Sequence, residues 1–325
     1  MRGIPARKLY EDRHEELELE FIVEVEEGKL PITTSDVNRP GLALAGFTEN
    51  FLYERIQILG ETEMLYLDTL SAPEKEAAID RLFERDLPCV IVSKGLEIPE
   101  HLIHLCRERS TPLLRTRMST TPLIHQLTAY LNEVFAPRMT MHGSLVDVYG
   151  VGLLITGDSG IGKSETVLDL VERGQRLVAD DVVIVSRHPP AVLVGSSNEL
   201  LGHRMEIRGV GIIDVREMFG IRATRRRKRI EVEIRLERWD PDQPYERLGL
   251  DDRTTSILGV RIPYVTIPLV PGKNVSVLAE VVAMNHLIKS TGYHPAARLD
   301  AQLKTLMSQV QAGLPVGEPE DSESE

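Results

Sequence analysis

A chain of 325 residues has the length of about two domains, and 42% apolar with 27% charged residues is the composition of a globular protein with a sizeable core. Its 38 Lys and Arg against 50 Asp and Glu leave a net charge of -12, which excludes a general nucleic-acid binder, because such a protein needs a basic surface to release counterions. Two cysteines, no leader-like segment and no long apolar run exclude a disulfide scaffold and a membrane protein and predict a cytoplasmic setting.

The first thirty residues are charged, and Glu15 to Glu27 alternates acids with Leu17, Leu19, Phe21, Val23 and Val25, the period of an edge strand. Asn38-Arg39-Pro40-Gly41 reads as a turn. From Glu63 the spacing predicts a strand at Met64–Leu67, a helix from Pro73 to Arg85, a strand from Cys89 to Ser93, a helix from Pro99 to Arg109, a strand at Leu113–Arg115 and a helix from Thr120 to Val134. Alternating strands and helices at this interval form an α/β unit with a parallel sheet. The N-terminal α/β domain, 1–134, carries no glycine-rich phosphate loop, and its expected role is structural or regulatory.

Ala136-Pro137 interrupts the last of these helices, and a second domain is expected over 135–312. Leu145 to Tyr149 forms a strand, Gly150-Val151-Gly152 a turn, and the apolar run to Ile155 a second strand, so two antiparallel strands precede Gly157-Asp158-Ser159-Gly160-Ile161-Gly162-Lys163-Ser164. This is a complete G-x-x-x-x-G-K-[ST] phosphate loop, set between a strand and a helix. Glycines let backbone N–H groups converge on phosphate oxygens, the helix N-terminus adds its dipole, Lys163 reaches the outer phosphates, and the Ser164 hydroxyl suits Mg²⁺. ATP and Mg²⁺ are therefore expected, in a P-loop domain with a mixed sheet.

Downstream, Asp180-Asp181 interrupts the β-branched run Leu177–Val185. One acid beside a phosphate loop orients Mg²⁺, and its neighbour is free to take a proton from an attacking hydroxyl. Alternation along a strand would turn the two to opposite faces. Glu206 and Asp214 bracket a glycine-punctuated apolar run, and Glu206 is a candidate second metal ligand. Five of the six residues from Thr224 to Arg229 are basic, a solvated face. Trp239 to Thr255 reads as a loop that closes over a reacting phosphate, with Arg247 and Arg253 placed to neutralise charge. Ala279 to Ser290 is a helix with Val281, Met284, Leu287 and Ile288 expected inward, Leu299, Leu303, Leu306 and Val310 form one stripe on a last helix, and the acidic tail 313–325 is expected to be disordered. On these residues alone the chain binds a nucleoside triphosphate, and a kinase of a small metabolite or a non-catalytic nucleotide sensor fits the same features.

The ordered set His142-Gly143, the phosphate loop, Ala179-Asp180-Asp181, Met205-Glu206-Ile207-Arg208-Gly209-Val210-Gly211-Ile212-Ile213-Asp214, Tyr245-Glu246-Arg247-Leu248-Gly249 and Pro268-Leu269-Val270-Pro271-Gly272-Lys273 resembles the bacterial HPr kinase/phosphorylase family, over nearly the whole chain. The resemblance implies a bifunctional, hexameric enzyme. With ATP and Mg²⁺ it would phosphorylate a serine of the phosphocarrier HPr; in reverse, inorganic phosphate would remove that phosphate as pyrophosphate. It implies Asp181 as acid/base, His142 and Arg247 in the active site, Lys163 on the β/γ charge, and Ser164 with Glu206 on Mg²⁺. It further implies Met205–Asp214 in both reactions and Pro268–Lys273 in dephosphorylation. The chain departs from the family's usual residues at Val182, Val270 and Lys273.

Overall fold

Ile56, Ile58 and Leu59 are fully buried and form an inner strand of the first sheet, upstream of the first strand that the alternating pattern from Glu63 predicts. The computed structural model describes residues 3–26, 28–198, 202–242, 253–270 and 272–311, and the chain divides into two units, Met1–Ala136 and Pro137–Glu325. The first runs α1 (Ala6–Arg13), β1 (Leu19–Val23), β2 (Val37–Asn38), α2 (Gly41–Leu44), β3 (Ile56–Leu59), α3 (Glu61–Asp68), α4 (Ala72–Leu82), β4 (Val90–Val92), α5 (Glu100–Glu108), β5 (Leu113–Thr116) and α6 (Thr120–Val134). Its sheet has the order β1-β5-β4-β3-β2. β2 to β5 are parallel, and β1 is an antiparallel edge. α2 to α5 cover one face through Leu44, Leu67, Leu82 and Leu102, and α1 with α6 cover the other through Leu9, Leu123 and Leu127.

Met64–Leu67 is thus helix, not strand. Met64 and Leu67 point inward three residues apart while Leu65 is 60% exposed, a spacing only a helix serves. A short apolar run fits either period, and here the turn decides: Glu63 reaches back to the Gly60 N–H at 2.9 Å and closes the helix start.

The second unit runs β6 (Arg138–His142), β7 (Ser144–Val148), β8 (Val151–Gly157), α7 (Lys163–Glu172), β9 (Arg176–Ala179), β10 (Val182–His188), β11 (Val192–Ser196), β12 (Arg204–Ile207), β13 (Gly211–Asp214), α8 (Val215–Phe219), β14 (Arg227–Arg229), β15 (Val232–Arg238), β16 (Thr254–Ile257), β17 (Val260–Leu269), α9 (Val275–Ser290) and α10 (Pro295–Gln311). A mixed sheet of order β16-β17-β15-β8-β7-β9 has α7 and α9 on one face. The smaller antiparallel sheet β14-β11-β10-β6 lies on the other, through Leu145, Leu154, Val183, Val185 and Leu193. β8 lies parallel to β15 and antiparallel to β7. The β7–β8 turn is Tyr149-Gly150, not Gly150–Gly152: Val148 pairs with Val151, and both turn residues have φ above zero, 51° and 85°, as a two-residue hairpin with strand-matched twist requires. Gly152 lies inside β8 because β14 crosses it there, and an added Cβ would overlap the Arg229 carbonyl oxygen.

Two further expectations change. The basic run is not a uniformly solvated face: Arg227–Arg229 is an edge strand on β11, and Arg225 Nη1 donates to the buried Asp147 at 2.7 Å. On α9, Ser276, Ala279 and Ala283 face the core, while Val281, Met284, Leu287 and Ile288 are each 40% exposed or more. Close approach of α9 to the sheet admits only small side chains, so the larger apolar ones form an outer face.

Candidate active site

β8 delivers the chain into the phosphate loop between a parallel neighbour, β15, and an antiparallel one, β7, and the loop's glycines are conformationally committed. Gly157, Gly160 and Gly162 have φ of 143°, 74° and 103°, a region closed to most side chains. Lys163 is 6% exposed, and its ammonium donates to the carbonyls of Gly157 at 3.0 Å and Asp158 at 2.9 Å. The loop therefore folds around the cation that an incoming phosphate would take over. Arg208, from the turn between β12 and β13, lies against the same loop: a Cβ on Gly160 would be 2.6 Å from its Cζ. Two cations thus meet where α7 begins with its unpaired N–H groups.

The acid pair lies at a corner between sheets, β9 ending at Ala179 in the larger and β10 starting at Val182 in the smaller. The two carboxylates are separated by this corner rather than by alternation within one strand. Asp180 is 7% exposed. It accepts from Ser144 Oγ at 2.5 Å and from Ser164 Oγ at 2.9 Å. Burial pushes its carboxyl above the usual range, and the two hydroxyls and the Asp181 N–H oppose that shift. Asp181 turns out to solvent with φ of 63°, a strained conformation for a non-glycine residue. Its side chain is 69% exposed and lies 3.1 Å from His142 Nδ1. His142 Nδ1 is also 3.0 Å from the Asp181 carbonyl, and Gly143 N–H donates to that carbonyl at 3.1 Å. β6–β10 pairing sets His142 opposite Val182 and so fixes this contact.

The structure gathers His142, Lys163, Ser164, Asp180, Asp181 and Arg208 around one strand end. Met205 and Ile207 anchor the 205–214 hairpin in the core beside α7, while Glu206 faces out from β12 with no hydrogen-bond or ion-pair partner among the described residues. No group of three or more His, Cys, Asp or Glu side chains forms a cation cage among the described residues. The hard oxygen donors Ser164 and Asp180, already in contact, nonetheless suit Mg²⁺ if phosphate oxygens complete its shell. Pro268 and Leu269 close β17, parallel to β15, at the same sheet edge as the phosphate loop. Val270 is 37% exposed, and Lys273 N–H closes a turn onto its carbonyl at 3.1 Å. Arg247, Pro271, the segment Tyr245–Gly249 and the tail 313–325 lie outside the described residues.

Sequence reasoning passed over three groups at this edge. Ser144 is fully buried and holds Asp180; one serine opening a strand carries no pattern. Thr156, the residue before the loop, donates to Glu233 Oε1 at 2.8 Å, and Glu233 takes Arg235 Nε at 2.9 Å. The Arg235 guanidinium stacks on Tyr264, 4.2 Å from the ring centre. The available signal was an acid and a base two residues apart within Ile230–Leu236, on one face of a strand, where a charge is buried only when paired.

Two family models match the chain: the HPr serine kinase N terminus over residues 4–131 and the HPr serine kinase C-terminal domain over residues 133–303. A protein of Thermoanaerobacter sp. (strain X514) named HPr kinase/phosphorylase is 46% identical over 303 residues, covering 93% of this chain and 98% of that protein. One of Geobacillus sp. (strain WCH70) with the same name is 47% identical over 289 residues, 89% and 93% of the two chains. A solved structure of the Hpr(Ser) kinase/phosphatase from Coxiella burnetii is 34% identical, covers 50% of this chain and 98% of its own, and superposes with a TM-score of 0.45.

Proposed function

The chain belongs to the HPr serine kinase family, and from that premise we propose that it is an ATP-dependent protein-serine kinase acting on the phosphocarrier HPr and, in reverse, a phosphorylase that takes the phosphate off with inorganic phosphate. The observation that carries this reading is the Asp180–Asp181 corner: one acid buried against Ser164, the other exposed beside it and held by His142. A kinase that only clamped its nucleotide would have no need of the second.

In the forward direction the HPr serine oxygen attacks the γ-phosphorus, its new O–P bond forming as the bond to the β–γ bridging oxygen breaks and ADP leaves. Asp181 accepts the serine proton, and His142 orients the Asp181 carboxylate. In the reverse direction an oxygen of inorganic phosphate attacks the seryl phosphate, pyrophosphate forms, and Asp181 returns its proton to the departing serine oxygen. Lys163 exchanges its two carbonyl partners for the β/γ phosphates, and Arg208 adds a second positive charge at the loop. Ser164, Asp180 and Glu206 are the residues that would hold Mg²⁺, which when bound neutralises charge across the β- and γ-phosphates. Arg247, with Met205–Asp214 and Pro268–Lys273, completes the proposed site. The enzyme is proposed to act in the cytoplasm, a reducing setting that suits its two buried free thiols. A homohexamer is also proposed. The exposed apolar face of α9 supports self-association, and Val281→Ser should lower the assembly's sedimentation coefficient.

The test is to incubate the chain with Mg-ATP and purified HPr, locate the phosphate by mass spectrometry, then add phosphate and assay pyrophosphate. Seryl phosphate on HPr is expected, and its absence overturns the reading. Asp181→Asn should lower transfer by roughly 10²–10⁴-fold; normal turnover in that variant removes Asp181 from its role.

A further inference from the structure

Thr156 precedes Gly157 at the end of β8 and shares a face of the larger sheet with Leu154, the face that the smaller sheet covers. Packing along that face is apolar, through Leu145, Leu154, Ile257, Val260 and Ile262. At the strand end it becomes ionic. Thr156 Oγ1 donates at 2.8 Å to Glu233 Oε1, a carboxylate only 4% exposed. Arg235 Nε donates to the same oxygen at 2.9 Å, and Arg235 Nη2 donates to Thr255 Oγ1 at 3.0 Å. With the guanidinium also stacked on Tyr264, one carboxylate links the end of β8 to β15, β16 and β17.

A buried ion pair adds little to stability over apolar side chains of the same volume, and the rest of this face is built from such side chains. What distinguishes the pair is the residue it holds. Arg235 stands opposite Thr156 in the β15–β8 register. On the other flank, just ahead of β7, is Gly143: a Cβ built there would be 3.5 Å from Thr156 Cγ2 and 2.7 Å from the Ile155 carbonyl oxygen. Gly143 follows His142, and its N–H donates to the Asp181 carbonyl. Gly157, the residue after Thr156, gives its carbonyl to the Lys163 ammonium. Thr156 therefore has the phosphate loop directly after it and the His142–Asp181 corner directly beside it.

Resting on the function stated above, we propose that Glu233, held by Arg235, is a positioning residue of the phosphoryl transfer. Through the Thr156 hydroxyl it fixes the end of β8, and with it the placement of the phosphate loop against the Asp181 carboxylate. The network makes and breaks no bond of the substrates. Arg235 neutralises the Glu233 carboxylate, so a buried acid is tolerated two residues along the neighbouring strand from a phosphate seat. Loosening this tether would spare the nucleotide grip, which Lys163 and the loop's own N–H groups make. It would disturb the alignment of the acceptor oxygen, the transferring phosphorus and the proton acceptor.

The experiment compares HPr phosphorylation by the full chain and by its Thr156→Val and Thr156→Ser variants over a range of ATP concentrations. Rates are expressed per nucleotide-binding site counted in the same preparation, so that unfolded chain is not scored. Thr156→Val keeps the shape and removes the donor. Its kcat is expected to fall about tenfold, inside the hundredfold that a misplacement of roughly 1 Å can cost, with the KM for ATP unchanged. Thr156→Ser keeps the donor and should recover most of the rate. Glu233→Leu combined with Arg235→Met removes the acceptor instead; it should give the same fall, and adding Thr156→Val should lower kcat no further. An unchanged kcat in Thr156→Val, a loss carried by KM, no recovery in Thr156→Ser, or additive losses overturn the inference while the functional reading stands. No seryl phosphate on HPr with the unaltered chain overturns that reading, and the inference with it.

Discussion

Gly60-Glu61-Thr62-Glu63 and Gly162-Lys163-Ser164-Glu165 are two strand-following helix starts with the same outline, a glycine at the cap and a glutamate three residues on. In the first the glutamate folds back, and Glu63 accepts from the Gly60 N–H and from Arg39. In the second Glu165 stays exposed without a partner among the described residues. The difference lies in the backbone of the cap. Gly60 is extended, with φ -107° and ψ -169°, and its N–H is taken by Glu63; Gly162 is left-handed, with φ 103° and ψ 19°, and no side chain caps the helix it begins. The first junction supplies its own anion and is closed. The second withholds one, and puts Lys163 and Arg208 in place to receive it. Whether a helix start is a structural joint or a phosphate seat is decided by the cap's backbone, not by the acid beyond it.

Five variants bear on that contrast. Lys163→Ala should lower HPr phosphorylation by roughly 10²–10³-fold, the scale of losing one preorganised donor at a charged transition state. A smaller loss would mean that Arg208 carries the outer phosphates. Gly162→Ala meets no neighbour within 4 Å, so its cost is the left-handed backbone alone, about 1–2 kcal/mol in chemical denaturation. A drop in nucleotide affinity beyond that would show the cap relaxing toward the extended form of Gly60. Glu63→Gln should cost about 1–2 kcal/mol, because it weakens a buried cap and leaves Arg39 without its charge partner. Glu165→Gln should stay within about 0.5 kcal/mol, and equal effects at the two positions would end the comparison. The smallest change in stability is expected from Asp180→Asn. Burial raises the Asp180 pKa in the folded state, so its ionisation opposes folding once pH rises above the ordinary carboxylate range. The variant should therefore melt slightly higher at neutral pH while losing activity, and the gain should vanish in acid, where both states are protonated. A lower Tm at neutral pH would mean that the Ser144 and Ser164 hydrogen bonds outweigh burial.

The sequence made the second junction legible because three glycines, a lysine and a serine at fixed spacing serve little else. The alternation of strands and helices from Cys89 to Val134 was legible for a similar reason, each element being long enough to show its period. Met64–Leu67 was not, since four apolar residues fit a strand or one helical turn, and the deciding bond runs from Glu63 to a backbone N–H. The α9 face was misread because the helix is apolar all round. Its inner side is marked by Ser276, Ala279 and Ala283, residues that look weak as core and are selected by close approach. Glu63 with Arg39 and Glu233 with Arg235 escaped notice because a buried ion pair has no spacing rule when its partners come from different elements, and only a weak one when they share a strand. His142 meets Asp181 through pairing between strands forty residues apart, a contact that no local pattern announces.

The corner at Asp180-Asp181 has a consequence for how such an enzyme is built. Asp180 is tied by Ser144 to the larger sheet and by Ser164 to α7, which packs on that sheet, whereas the Asp181 carbonyl and carboxylate are tied by His142 to the smaller sheet. A single peptide link therefore joins two separately supported groups, to which the proposal gives a grip on the nucleotide and a proton carrier for the acceptor. Each can drift under its own selection as long as that link keeps its bend, so a change of acceptor would be written in the smaller sheet, with the nucleotide grip left unrevised.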